Sequence, residues 1–366
     1  ATTDIYTLSL HDALPIFEQD NFPVRRVSLA SRKWRAEATR RLEQLLRALA
    51  ATEEGGALAG IQVAGGIYGE WHNWGFLRNE PDTGPAMTRH FRAWLEARYA
   101  DDAGLAAAWG RPGARLAQAE VPGLDGRKAT AGVLRDPASE LDTIDYYRCA
   151  HELVAEGILA YARTVKQTWP RPIVTGSFYG YFFSTFGRQA AGGHLELHRL
   201  LCSPWIDYLA GPQAYEPSAL KNGEAYRSRS LIASIRLHGK LWLDEMDVDA
   251  NVPIPAFKDH DLLARNSAAN VRRNLLFSFT KGMGLWFYDF GVGGVDLDGI
   301  RPLHRGSRGT WDHSTVLADI AALKRLMQKS AEADYHSGAD TLFVYDTESL
   351  YYTASLKGAD PITPAL

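Results

Sequence analysis

From residue 31 the chain alternates between two hydrophobic periods. Leu42, Leu45, Leu46 and Leu49 fall at i, i+3, i+4 and i+7, with arginines on the other face and Ser31 placed as an N-cap; this predicts a helix stopped by Gly55 and Gly56. The apolar run ALAGIQVAGG at 57–66, bounded by glycines, predicts a strand buried on both faces. A second helix carries Met87, Phe91, Trp94 and Leu95 on one stripe, and a long one covers 137–167. Further strands are predicted at 173–178, 205–215, 240–245 and 284–290, with helices at 194–201, 231–238 and 260–280 between them. After the last of these strands, Val316, Ile320, Leu323 and Leu326 mark a helix over 315–329, and TLFVYD at 341–346 predicts a further strand.

Five strands separated by helices imply a parallel α/β sheet with right-handed crossovers. Each strand from residue 57 onward runs into residues fit for chemistry: Gly-Glu-Trp, Ser-Phe-Tyr, Gln-Ala-Tyr, Asp-Glu and Tyr-Asp. A (β/α)8 TIM barrel builds its active site at that end of its strands. A doubly wound sheet would want a glycine-rich phosphate turn after its first strand, and no convincing one is present. A complete barrel needs eight strands in about 250 residues, so the reading is an N-terminally truncated barrel over 17–312 with about five of eight strands. The start of a second α/β domain follows over 313–366. Residues 1–16 resemble the conceptual translation of a sequencing adapter and are set aside as foreign. The native N-terminus is then missing, which leaves location in the cell unread, with the cytoplasm favoured.

Composition narrows the function class. The chain has 366 residues, 46% hydrophobic and 23% charged, with a net charge of -3. That balance carries no electrostatic footprint for nucleic acid or an anionic membrane, and no apolar run nears the roughly 20 residues of a membrane span. Cys149 and Cys202 allow neither a disulfide scaffold nor a four-thiolate zinc site, and no metal or cofactor is expected. Aromatic residues make up 11% of the chain, a usual composition for proteins that stack rings on sugars, so a carbohydrate partner is expected.

Glycosidic bonds are usually cleaved by two carboxyl groups, one protonating the leaving oxygen and the other attacking the anomeric carbon or activating water. Glu70 in GGIYGEWHNWG and Glu245 in KLWLDEMDVD both follow predicted strands, so a parallel barrel would turn them to one pocket. Tyr68, Trp71 and Trp74 flank Glu70 and would raise its pKa, which suits a general acid/base. Glu245 is read as the nucleophile, next to Asp244, Asp247 and Asp249. The last two also resemble alternating calcium ligands, without the glycine and closing glutamate of such a loop. Trp71, His72, Trp74, Tyr179, Gln213, Tyr215, Asp247, Trp286 and Asp289 are the expected substrate contacts; Tyr181, Phe182 and Tyr288 are further candidate walls. Any one of these aromatics has a core role as its competing reading. A Ser-His-Asp hydrolase fits poorly, since no Gly-x-Ser-x-Gly turn occurs.

These pieces resemble glycoside hydrolase family 42, the β-galactosidase type. The resemblance rests on GIQVAGGIYGEWHNWG at 60–75, HFRAWLEARYADDAGLAAAWG at 90–110, HGKLWLDEMDVD at 238–249, GMGLWFYDFG at 282–291 and ADTLFVYDTESLYY at 339–352. It implies a catalytic barrel, a retaining mechanism, an acid/base glutamate after strand four and a nucleophilic glutamate after strand seven, falling on Glu70 and Glu245. It also implies that the segment from about 315 enters an amidotransferase-like domain through which family members often trimerise. In the family an Asn normally precedes the acid; here Gly69 does, and Asn79-Glu80 offers the dipeptide further along the loop. The alternative is a catalytically inactive, carbohydrate-binding relative.

Overall fold

The computed structural model describes residues 15–17, 25–73, 76, 82–123, 126–127, 133–183, 189–214, 223–246, 260–288, 314–330 and 336–354. Strands β1 (Pro15–Phe17) and β2 (Arg25–Val27) form a separate antiparallel pair. The main sheet has the order β3 (Gly60–Val63), β4 (Val174–Phe178), β5 (Tyr208–Pro212), β6 (Leu241–Met246) and β7 (Gly284–Phe287). β3 pairs with β4, and β6 with β7, in parallel. Chain order equals sheet order and helices intervene, which is the repeating unit of a (β/α)8 barrel with five strands present among the described residues. The chain divides into two compact units: residues 1–209 with 344–366, and residues 210–343.

In the first unit, helix α1 (Arg32–Ala50) starts where predicted, with the Ser31 side chain accepting from the Trp34 N–H. Its leucine stripe is only partly used: Leu46 is buried whereas Leu45 is 58% exposed. Gly55 and Gly56 do not end it. They lie inside a short helix, α2 (Glu53–Ala57), capped by Thr52, because the hydroxyl there captures the Gly55 N–H. Helix α3 (Pro85–Tyr99) buries Met87, Phe91 and Leu95, and α4 (Asp102–Ala108) follows. Both are held to the long helix α5 (Pro137–Thr168) by one carboxylate. The Tyr99 hydroxyl and Trp109 Nε1 donate to the same Asp145 oxygen at 2.7 and 2.9 Å. The sequence block at 90–110 is therefore a structural clamp. Helices α6 (Gln189–Gly192) and α7 (Leu197–Leu201) lie between β4 and β5.

In the second unit, α8 (Ile232–Leu237) precedes β6, and α9 (His260–Thr280) leads to β7. β6 shows why alternation matters: Trp242, Asp244 and Met246 are buried, while Leu241, Leu243 and Glu245 are not. Met246 packs with Val271 and Leu275 of α9 and with Val316 and Leu323 of α10 (Ser314–Ser330). The face carrying Asp244 and Met246 is thus the helix-covered one, and Glu245 stands on the opposite face. The strand predicted at 341–346 is not formed; these residues take no regular structure, and Leu342, Phe343 and Val344 are exposed. A strand exists only through a pairing partner, and among the described residues this run has none.

Candidate active site

Glu70 does not sit at the end of β3. Six residues separate it from Val63, and they fold into a tight knot. Gly65 bridges to Glu70 and Ile67 to His72. The Trp71 N–H donates to the Gly65 carbonyl at 2.7 Å, and the Glu70 N–H to that of Ile67 at 2.9 Å. The turns require left-handed backbone at Gly66 (φ 67), Tyr68 (φ 56), Gly69 (φ 78) and Trp71 (φ 61). For the two non-glycine residues this costs about 1–2 kcal/mol each. The indole of Trp71 offsets it: fully buried, it donates to the Val63 carbonyl at 3.1 Å. It also lies against Gly65 and Gly157, where an added Cβ would come within 2.9 and 3.1 Å of the ring. Gly157 is in the middle of α5, an expensive place for glycine, and the approach of Trp71 is the reason.

The knot delivers the carboxyl of a residue that is 9% exposed. Its Oε1 accepts from the Tyr181 hydroxyl at 3.2 Å, and its Oε2 lies 3.9 Å from His72 Nε2. His72 Nδ1 faces the Gly192 carbonyl at 3.3 Å, so that nitrogen carries a proton and Nε2 is the one turned to the carboxyl. His194 holds the other side. Its Nε2 donates to the Glu70 backbone carbonyl at 2.8 Å, and its Nδ1 accepts from the Tyr181 N–H at 3.3 Å. Phe76, His72, His194 and Tyr179 stack in a column, with ring centroids 4.3, 4.3 and 4.7 Å apart in turn. Asn73 ties the knot to α6 through the Gly192 carbonyl at 3.1 Å.

Glu245 is placed by simpler means. It is level with Trp286 in the parallel register of β6 and β7, and Trp286 Nε1 donates to its Oε1 at 2.8 Å. Partial burial raises the pKa of Glu245, and the Trp286 N–H acts against that rise. Its backbone carbonyl accepts from the Gln213 N–H at 2.9 Å, fixing the end of β6 to the segment after β5. Asp244, on the covered face, takes the Tyr226 hydroxyl, Trp242 Nε1 at 3.1 Å and the Ser278 hydroxyl at 3.3 Å. Burial nevertheless holds its carboxyl up at about 6.

Of the expected substrate contacts, His72 lies beside Glu70 and Trp286 beside Glu245. Trp71 and Tyr179 are packing residues here. Both are fully buried, and the Tyr179 hydroxyl is used up between the Gly193 carbonyl and the Glu196 N–H. Gln213 is buried as well. Trp74, Tyr215, Asp247 and Asp289 lie outside the described residues, as do Asp249 and the Asn79-Glu80 pair. Sequence reasoning passed over His194, and the pair of glycines before it was the available signal. It also missed the donors that converge on Asp244.

No protein-family model matches the chain, and no curated protein matches it in sequence. Solved structures do. A β-galactosidase from the psychrophilic Marinomonas ef1 is similar with a TM-score of 0.54 at 13% identity, covering 93% of this chain and 49% of its own. The β-galactosidase of the Antarctic haloarchaeon Halorubrum lacusprofundi gives 0.53 at 17%, covering 97% and 51%. An exo-β-agarase gives 0.53 at 10%, covering 88% and 42%. The chain has a glycosidase-like TIM-barrel fold. It spans about half the length of these relatives, and at such identities the likeness concerns the fold alone.

Proposed function

We propose that the protein is a retaining β-glycosidase acting on terminal β-linked sugars, with β-galactosides the first substrates to try. The observation that carries this reading is Glu245, a half-buried carboxylate at the C-terminal end of a parallel strand, oriented through one oxygen by the Trp286 indole. Glu245 attacks the anomeric carbon as the bond to the leaving oxygen breaks, and Glu70 gives its proton to that oxygen. A glycosyl ester of Glu245 results. Glu70 then takes a proton from water, which attacks the same carbon and releases Glu245 and the sugar. Tyr181 and His72 hold the Glu70 carboxyl in place for both proton transfers. The trimeric assembly and the second domain from residue 313 belong to this same proposal.

The displacement of Glu70 into a loop favours one other reading, a relative that binds glycan without cleaving it. A 2-fluoro-glycoside bearing a good leaving group separates the two, since it traps a glycosyl-enzyme. Mass spectrometry should find the label on Glu245, and azide should restore turnover of an aryl glycoside to E245A. A label on another carboxylate would refute the assignment. Sugar binding with neither label nor turnover would favour the second reading.

A further inference from the structure

A second feature of the first unit is unconnected with the two glutamates. Helices α1, α3 and α5 border a groove of about 470 Å3, within the size range of small-molecule sites. Its charged lining is Arg32, Arg35, His90, Arg98, Glu152 and Glu156, with Trp94 beside them. Both carboxylates are already engaged. Glu152 accepts from Trp94 Nε1 at 3.0 Å and pairs with Arg199 at 2.8 Å, and Glu156 faces Arg35 at 3.8 Å. Arg98 lies over the Trp94 ring at 5.1 Å and 3.7 Å from Asp145.

Arg32 and His90 differ from these residues. Arg32 opens α1, whose first turn contains no acidic residue, and it has no ion-pair partner among the described residues. His90 is half-buried and has no hydrogen-bond partner among them. Its pKa is lowered to about 4, by burial first and then by the charges of Arg35 and Arg32. The Arg32 guanidinium, the N-terminal end of a 19-residue helix and an unbonded imidazole thus face one space with no carboxylate assigned to them, beside Arg35, whose contact with Glu156 is a loose 3.8 Å. That combination suits a negatively charged, oxygen-rich group.

We propose that this groove is a binding site for a small oxyanion-bearing ligand, a carboxylate, sulfate or phosphate, held by Arg32, Arg35 and His90. The anion accepts from both guanidinium groups and from the imidazole. Its charge then favours the imidazolium, so by linkage binding strengthens as the pH falls from neutrality. Protonation of Glu152 and Glu156 would act in the same direction, so the His90 contribution has to be isolated by mutation.

The test uses the whole chain with sodium sulfate, sodium phosphate and glucuronate as separate probes, at ionic strength held constant with chloride. NMR follows the His90 ring while calorimetry follows binding. The expected result is saturable binding that moves the His90 titration to higher pH. R32Q combined with R35Q should weaken binding at least about tenfold, with the exposed single variant R32Q weakening it less. H90Q should bind with a flatter pH dependence than the native protein. Tighter binding of glucuronate than of the inorganic ions would assign the site to an acidic sugar, and the reverse order to a free inorganic anion. The proposal is overturned if no probe moves the His90 signal, or if a folded R32Q variant and the double variant bind as the native protein does.

Discussion

The loop that carries Glu70 and the strand that carries Glu245 present the same functional group by opposite means. Around Glu70 the backbone leaves the regular sheet, passes through four left-handed residues and is pinned by a buried indole, two histidines and a tyrosine. Around Glu245 the pleat of β6 does most of the placing, and one indole N–H from the neighbouring strand completes it. The difference lies in where the energy is held. The knot concentrates strain and many contacts in about ten residues, so it should fail as a unit. The strand end is regular, so single substitutions there should act on chemistry more than on folding.

The largest effect is expected from E70Q. If Glu70 is the general acid, kcat on an alkyl glycoside should fall about 10²–10⁴-fold, and far less on a substrate whose leaving group needs no proton. An equal loss on both would remove the acid role and with it the functional half of the comparison. D244N tests the covered face of the strand. The folded protein holds the Asp244 proton at about 6 against an ordinary value of 3.8. Its stabilising contribution is therefore full below about pH 4 and is lost as the pH rises to about 6. Relative to D244N, the native protein should lose up to about 3 kcal/mol across that window, read from denaturant midpoints at several pH values.

G66A should destabilise the knot by about 2 kcal/mol or more, since the new Cβ would lie 2.5 Å from the His72 carbonyl at a φ of 67. Unchanged thermal stability would mean that the loop is softer than its contacts suggest. The smallest change is expected from W286F, about tenfold in kcat/KM. Loss of the indole N–H leaves burial unopposed at Glu245 and raises its pKa further, so the acid limb of the pH–rate profile should move to higher pH. An acid limb that stays in place would show that Trp286 does not orient the nucleophile.

Glu245 was legible in sequence because alternation over Leu241, Trp242 and Leu243 fixes which side chains share a face, and a two-residue period survives folding unaltered. The same holds for the start of the helix at 32–50, capped by Ser31 as expected, and for the span of the helix at 260–280. Glu70 was legible as a candidate, but its surroundings were not. Trp71 reads as a sugar platform beside the acid, yet it is the anchor that turns the loop back, and its partner Gly157 is 86 positions away on α5.

The amino-acid sequence alone determined the order of the five sheet strands, their parallel arrangement and the place of Glu245 at a strand end, because these follow from local periodicity and chain direction. Only the tertiary structure decided that Trp71 and Tyr179 pack inward, that His194 and Tyr181 hold Glu70, and that 341–346 forms no strand. Those outcomes depend on hydrogen bonds and contacts between residues far apart in the chain. No local pattern encodes which distant group will arrive to satisfy a polar atom or cover a ring.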